Sequence, residues 1–498
     1  MPKLLRYTTA AARRTTLLVL RLAKLALIIC LAIALGFTLY AVSALPKLEP
    51  WHTERLHQEF NAILHSNFDF NAYLQQEEKL FAEMREEIAS WKANNEAYEY
   101  SRFNPKSPVN RLVDGAPYNR TFRLIPAKPR GHALLMHGLT DSPYSMKAMA
   151  ESLYARGMAV TVLRLPGHGT LPSMLTEMDD RDWNAAVRIA ALDIAARTPV
   201  GQPFYIGGYS TGGTLALHYT LDALEDNTLR RPDRVLLMSP AIELTPVANL
   251  AKIIDFFSIV PIPVLEKVRW QEIIAEYDPY KFNSFPVNAS RQVNQATRAL
   301  QRALNKASES GRIAQIPPVI AWQSVVDSTV GALGATDTLF AKLKGPEHRL
   351  ILFDVNRQQA LGSVQRPGAR ALIDRVSASK RAYTLDIVSN AEPESTRISV
   401  QRLAPDGTQT QHETALDWPH NLVSLGHVAL PFPPDDPAYG FLPGSGHNGI
   451  PSIGSWLLRG ESGATTISLG ALTRLRSNPF WPLIDQDIGQ LVTADLAK

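Results

Sequence analysis

Between residues 130 and 356 the apolar positions fall into short runs rather than long stripes. His132-Ala133-Leu134-Leu135-Met136 ends at His137-Gly138, and Met158 to Leu165 ends at Pro166-Gly167. Phe204-Tyr205-Ile206 ends at Gly207-Gly208, and Val235 to Met238 ends at Ser239-Pro240. Val319 to Trp322 follows Pro317-Pro318, and Arg349 to Phe353 makes one more run. Each is strand length, bounded by turn residues and mainly apolar without alternation, as expected for strands buried on both faces. Helical periodicity separates several of them, around Ser145–Arg156, Asp182–Ala196 and Gly213–Glu225. The pattern predicts an α/β fold with a mainly parallel sheet covered by helices on both faces.

Elsewhere the pattern changes. Leu25 to Leu45 has no charged residue, close to the ~20 residues that cross a bilayer as a helix. Lys3, Arg6, Arg13, Arg14, Arg21 and Lys24 precede it, whereas its far flank mixes Lys47, Glu49, Glu54 and Arg55. This charge bias predicts a cytoplasmic N-terminus and everything after the run outside the cytoplasm, periplasmic in a Gram-negative cell. Val42-Ser43-Ala44 resembles a signal-peptide cleavage site, but the run and its basic leader are longer than such peptides usually have. We therefore divide the chain into a basic tail (1–24), a transmembrane helix (25–45), a helical stalk (46–105) and a main α/β domain (106–498). Within the last, residues 241–316, with Phe256, Phe257, Ile259 and Val260, read as a lid. Residues 357–415 read as an insertion ending in a hairpin around Asp406-Gly407.

Composition adds exclusions. The net charge of +4 is accounted for by the N-terminal tail, so the folded part presents no sign of a nucleic-acid surface. The one cysteine, Cys30, lies in the apolar run, leaving no disulfide, thiolate nucleophile or cysteine metal site in the domain that follows. His137, His168 and His218 lack zinc-ligand spacing, and no glycine pattern for a nucleotide follows a strand. No cofactor or metal is expected.

Gly208-Tyr209-Ser210-Thr211-Gly212 fits G-x-S-x-G. The motif alone is weak, but here it follows a strand and opens a helix, the setting of a nucleophile elbow. Such a turn needs nearly side-chain-free residues two before and two after the serine. Upstream, His137-Gly138-Leu139-Thr140 also follows a strand. The N–H groups of Leu139 and Thr211 are the expected oxyanion donors, and His137 is expected to hold its loop.

His137-Gly138-Leu139-Thr140-Asp141-Ser142-Pro143, Leu163 to Thr170 and Gly207 to Gly213 together resemble the monoacylglycerol lipase and bacterial carboxylesterase branch of the α/β-hydrolases. The resemblance covers residues 130–240 well and 317–356 more loosely. It implies an acid after a later strand, which nominates Asp327, with Asp354 in reserve and a helix cap as the alternative role for Asp327. The triad order then requires a later histidine. His348 comes too early, and His412 and His420 sit in or next to the apparent insertion. His427 is chosen over His447, which lies in Gly444-Ser445-Gly446-His447-Asn448-Gly449.

The expectation is a membrane-anchored serine hydrolase of lipid-like or lipophilic carboxylic esters, with Ser210, Asp327 and His427 as triad. A thioesterase or acyltransferase would use the same residues, and a non-catalytic scaffold on this fold is the alternative from another class.

Overall fold

The computed structural model describes residues 2–43, 46–91, 96–112, 118–243, 266–267, 269–358, 368–419, 421–447, 449–455 and 474–497. Ten strands form one sheet. In chain order they are β1 (Phe122–Leu124), β2 (Gly131–Met136), β3 (Met158–Leu163), β4 (Phe204–Tyr209) and β5 (Arg234–Met238), then β6 (Val319–Ser324), β7 (Arg349–Phe353), β8 (Thr384–Asn390), β9 (Arg397–Leu403) and β10 (Gln409–Asp417). The spatial order is β1-β3-β2-β4-β5-β6-β7-β8-β9-β10. The run from β3 to β8 is parallel throughout. At the ends, β1 pairs antiparallel with β3, and β8, β9 and β10 form an antiparallel meander.

The six expected strands are all present, and their continuous apolarity has a direct cause. Along β2, Leu134 and Met136 point into one core while Ala133 and Leu135 point into the other. The two-residue period of a strand sends successive side chains to opposite faces, so a sheet covered on both sides needs apolar residues at every position. One layer contains α4 (Asp180–Arg197), α5 (Thr211–Glu225) and α6 (Val287–Glu309). The other is built on α3 (Lys147–Ala155) and the C-terminal α8 (Trp481–Leu496). Asp495 of α8 pairs with Arg234 and accepts from the Tyr205 hydroxyl at 2.6 Å, fixing the tail against β4 and β5.

Three stretches sit differently from the sequence reading. Residues 357–415, set apart as an insertion, supply α7 (Gly368–Ala378), strands β8 and β9 and most of β10, so they extend the sheet rather than interrupt it. The later part of the supposed lid is α6, whose Ala289, Ala296, Leu300 and Leu304 belong to the main core. Phe256, Phe257, Ile259 and Val260 fall outside the described residues. The supposed stalk lies on the domain: Phe60, Phe70 and Tyr73 join the main core, and Trp51, Leu56 and Phe103 pack with Leu171 and Met174. Its helix, α2 (Phe70–Ser90), starts at Asp69, whose carboxylate caps the Ala72 N–H at 2.8 Å.

The N-terminal α1 runs unbroken over Pro2–Ser43. Its most apolar window, Thr16–Phe37, is 22 residues long and none of it is buried against the protein. That window begins before the uncharged run at Leu25 and includes Arg21 and Lys24.

Candidate active site

Ser210 stands between the end of β4 and the start of α5 with φ 53° and ψ −117°. This backbone region costs a non-glycine residue of the order of 1–3 kcal/mol and persists only where the surroundings impose it. They do so here. A Cβ on Gly208 would lie 2.3 Å from the Gly212 carbonyl carbon, and one on Gly212 would lie 2.1 Å from the Met136 oxygen. The two glycines let the strand, the turn and the helix meet. The Ser210 N–H is donated to Met238 at 2.9 Å, and its carbonyl accepts from Gly213 at 3.0 Å and Ala241 at 3.1 Å. Thr211 is the first residue of α5, so its N–H has no partner within the helix.

Asp327 follows β6 and lies against His427, with Oδ2 at 2.7 Å from Nδ1. The same carboxylate accepts from Gln323 Nε2 at 3.0 Å and from the N–H groups of Thr329 and Val330 at 2.8 and 3.0 Å. The last two contacts are the helix-cap geometry raised as the alternative, so Asp327 caps its turn and holds the histidine at once. Burial works to raise its pKa, but the His427 ring and the two N–H donors outweigh that and hold the carboxyl below its ordinary value. An ionised Asp327 accepts only, so Nδ1 of His427 carries the proton and Nε2 is left as the acceptor.

Two contacts bring His427 to the elbow although it lies far along the chain. Ser324 Oγ, at the end of β6, donates to the Leu425 carbonyl at 2.7 Å. The Tyr209 hydroxyl donates to the His427 carbonyl at 3.3 Å, and the two rings lie 4.9 Å apart. His447 sits instead in a small hairpin opposite Ile450. Asp354 is bound by Arg357 Nε at 2.6 Å and Ser389 Oγ at 3.0 Å, beside a cavity of about 780 Å³ lined by residues of β8 and β9. His348 accepts the Val319 N–H at 3.2 Å, His412 is exposed on β10, and His420 lies outside the described residues.

Ser210, Thr211, Leu139 and His427 line one cavity of about 400 Å³. Thr140, with φ 65°, lines it too, so two of the three non-glycine residues of positive φ among the described residues are found here. The wall is mainly apolar, with Phe282, Phe285, Val293 and Val330. It also carries two ion pairs: Asp141, from the His137–Pro143 stretch, with Lys281 at 3.4 Å, and Arg476 with Asp278 at 3.3 Å. These residues come from distant loops with no characteristic spacing, so only the fold brings them together.

A model of the alpha/beta hydrolase family matches residues 133–437, well over half of the chain, and the chain belongs to that family. It is similar to a thermostable monoacylglycerol lipase of Bacillus sp. (strain H-257), 36% identical over 85 residues, which are 17% of this chain and 33% of that enzyme. The chain thus spans about a third of the length of this curated relative. Among solved structures, it is similar to a monoacylglycerol lipase of Paleococcus ferrophilus at 19% identity and a TM-score of 0.35, covering 52% of this chain and 98% of the other. A soluble variant of the monoglyceride lipase of Saccharomyces cerevisiae gives 16% identity and a TM-score of 0.34, covering 47% and 81%.

Proposed function

We propose that the protein is a serine hydrolase that cleaves carboxylic esters of lipid-like character through an acyl-enzyme on Ser210. The observation that carries this reading is one cavity lined by both the serine of a strained strand-to-helix turn and a histidine oriented by a buried carboxylate. Ser210 Oγ attacks the ester carbonyl while His427 Nε2 takes its proton, and Asp327 stabilises the imidazolium without taking that proton. The oxyanion is held by the N–H groups of Leu139 and Thr211. Collapse of the tetrahedral intermediate expels the alcohol, protonated by His427. Water, deprotonated in turn by His427, then releases the carboxylic acid and restores Ser210.

The mainly apolar wall of the cavity supports an acyl chain, and the name of the Bacillus relative, a monoacylglycerol lipase, points to the same class. The exposed apolar α1 supports a membrane anchor, with its basic end in the cytoplasm and the catalytic domain on the other side. An enzyme held at the bilayer meets lipophilic esters where they concentrate.

Ser210→Ala tests the reading with a p-nitrophenyl acyl ester and a fluorophosphonate probe. Removing a triad nucleophile lowers kcat by about 10⁶, so hydrolysis falls to background and labelling disappears. Hydrolysis and labelling at the wild-type level would refute it.

A further inference from the structure

Arg164, directly after β3, is almost completely enclosed, with 1% of its surface exposed. A buried guanidinium needs charged partners, and these come from the N-terminal segment rather than from the sheet. Glu59 accepts from Nη2 at 2.8 Å through Oε1 and from Nη1 at 3.0 Å through Oε2. Glu77 of α2 accepts from Nε at 3.2 Å, and the Tyr73 hydroxyl donates to the Arg164 carbonyl at 2.7 Å. Arg164 lies inside the region matched by the family model, residues 133–437, whereas all three partners lie outside it.

The contacts continue from Arg164 toward the cavity. Glu59 Oε2 also accepts the Gly167 N–H at 2.9 Å, and Arg164 Nη1 donates to the His168 carbonyl at 3.0 Å. One carboxylate therefore fixes both the arginine and the turn after it. Leu165, between them, donates its N–H to His137 Nε2 at 3.0 Å. That leaves the His137 Nδ1–H to donate to the Gly138 carbonyl at 2.8 Å, in the peptide that joins Gly138 to Leu139. Burial, with His168 and Arg164 nearby, holds His137 well below its ordinary pKa, so the ring stays neutral and keeps this arrangement of donor and acceptor.

We propose that Glu59 is a positioning residue for the Leu139 N–H, acting through Arg164, Leu165 and His137, so that the segment before the sheet sets the geometry of the oxyanion site. The proposal rests on the assignment of Ser210 and its oxyanion donors.

The test uses the full chain and its Glu59→Gln, His137→Asn and doubly substituted forms, with a p-nitrophenyl ester and active sites counted by burst amplitude. A misplaced oxyanion donor weakens only the transition state, so it lowers kcat and leaves KM unchanged. We expect kcat to fall about 10- to 100-fold in Glu59→Gln, less than the ~10²–10³ for outright loss of a donor, with KM within about twofold of wild type. His137→Asn keeps a donor for Gly138 but cuts the link to Leu165. If the residues act in one chain, the double variant is no slower than the slower single one, within about twofold.

Wild-type kcat in folded Glu59→Gln overturns the proposal, as do effects that multiply in the double variant. Should Glu59→Gln fail to fold, Glu77→Gln takes its place, with a smaller fall in kcat expected and an unchanged kcat overturning the proposal. Ser210→Ala is measured alongside. Retained hydrolysis there defeats the Ser210 assignment itself, whereas its loss beside an unaffected Glu59→Gln defeats only the positioning role.

Discussion

Ser210, Gly208 and Gly212 form one unit, because the serine adopts its conformation only where both glycines leave room for the neighbouring backbone. Gly212→Ala places a methyl group 2.1 Å from a carbonyl oxygen on β2, which is backbone and cannot swing aside. We predict a loss of stability above about 3 kcal/mol, read as a drop in urea midpoint or as failure to accumulate folded protein. Asp327→Asn keeps the shape of the acid but removes its charge and invites the wrong histidine tautomer. We predict a fall in kcat of the order of 10⁴ with little change in KM. His427→Ala should lower kcat further, by about 10⁶, and His447→Ala should leave it near the wild-type value. Ser210 was legible in the sequence because the elbow demands glycines at fixed spacing. His427 could be narrowed only to a pair, since the Ser324–Leu425 and Tyr209–His427 contacts join residues about 100 or more positions apart. The Lys281–Asp141 and Arg476–Asp278 pairs left no local trace at all.

The strands between residues 131 and 353 were legible as elements because burial on both faces makes each one an apolar run. Strands β8 to β10 were harder to read. They lie at the end of the sheet, β10 is mostly exposed, and its unbroken run of polar residues from Gln409 to Thr414 reads as a surface hairpin. Helix α6 was absorbed into a lid for a related reason, since its apolar stripe has the same composition whether it covers a site or a core. The loop leading into α6 carries a titratable group with a measurable consequence. Glu276 is buried, and that burial raises its pKa to about 7, against the lowering effect of N–H donors from Ser284 and Asn283. Between the ordinary glutamate value of 4.5 and about 7 the folded protein keeps a proton that the unfolded chain has released. Stability from this group is therefore lost as pH rises through that window and stays low above it. Glu276→Gln should remove this dependence, so its melting temperature relative to wild type is higher at pH 8 than at pH 5. An offset that does not change with pH would contradict the assignment.

For the whole molecule, the segment after α1 is part of the folded domain. Its buried aromatics and the Glu59–Arg164–Glu77 cluster bind it to the domain, so among the described residues it does not stand as a free stalk. The sequence showed the helical period of α2 but not the surface it packs on, because that surface is assembled from α4, Thr121 before β1 and Arg164 after β3. A chain lacking residues 2–43 should remain folded, leave the membrane fraction and keep its kcat on a soluble ester, whereas the intact chain should sediment with membranes and begin at its original N-terminus. Loss of residues up to about Ala44 from the mature protein would instead identify a cleaved signal peptide. Covalent catalysis at Ser210 can be trapped by mixing the protein with an acyl ester, quenching in acid during turnover and mapping the digest by mass spectrometry. The peptide containing Ser210 should carry the mass of the acyl group, and no such adduct should form in Ser210→Ala. Turnover of the ester with no acyl group on that peptide, or with the adduct on another residue, would contradict covalent catalysis at Ser210.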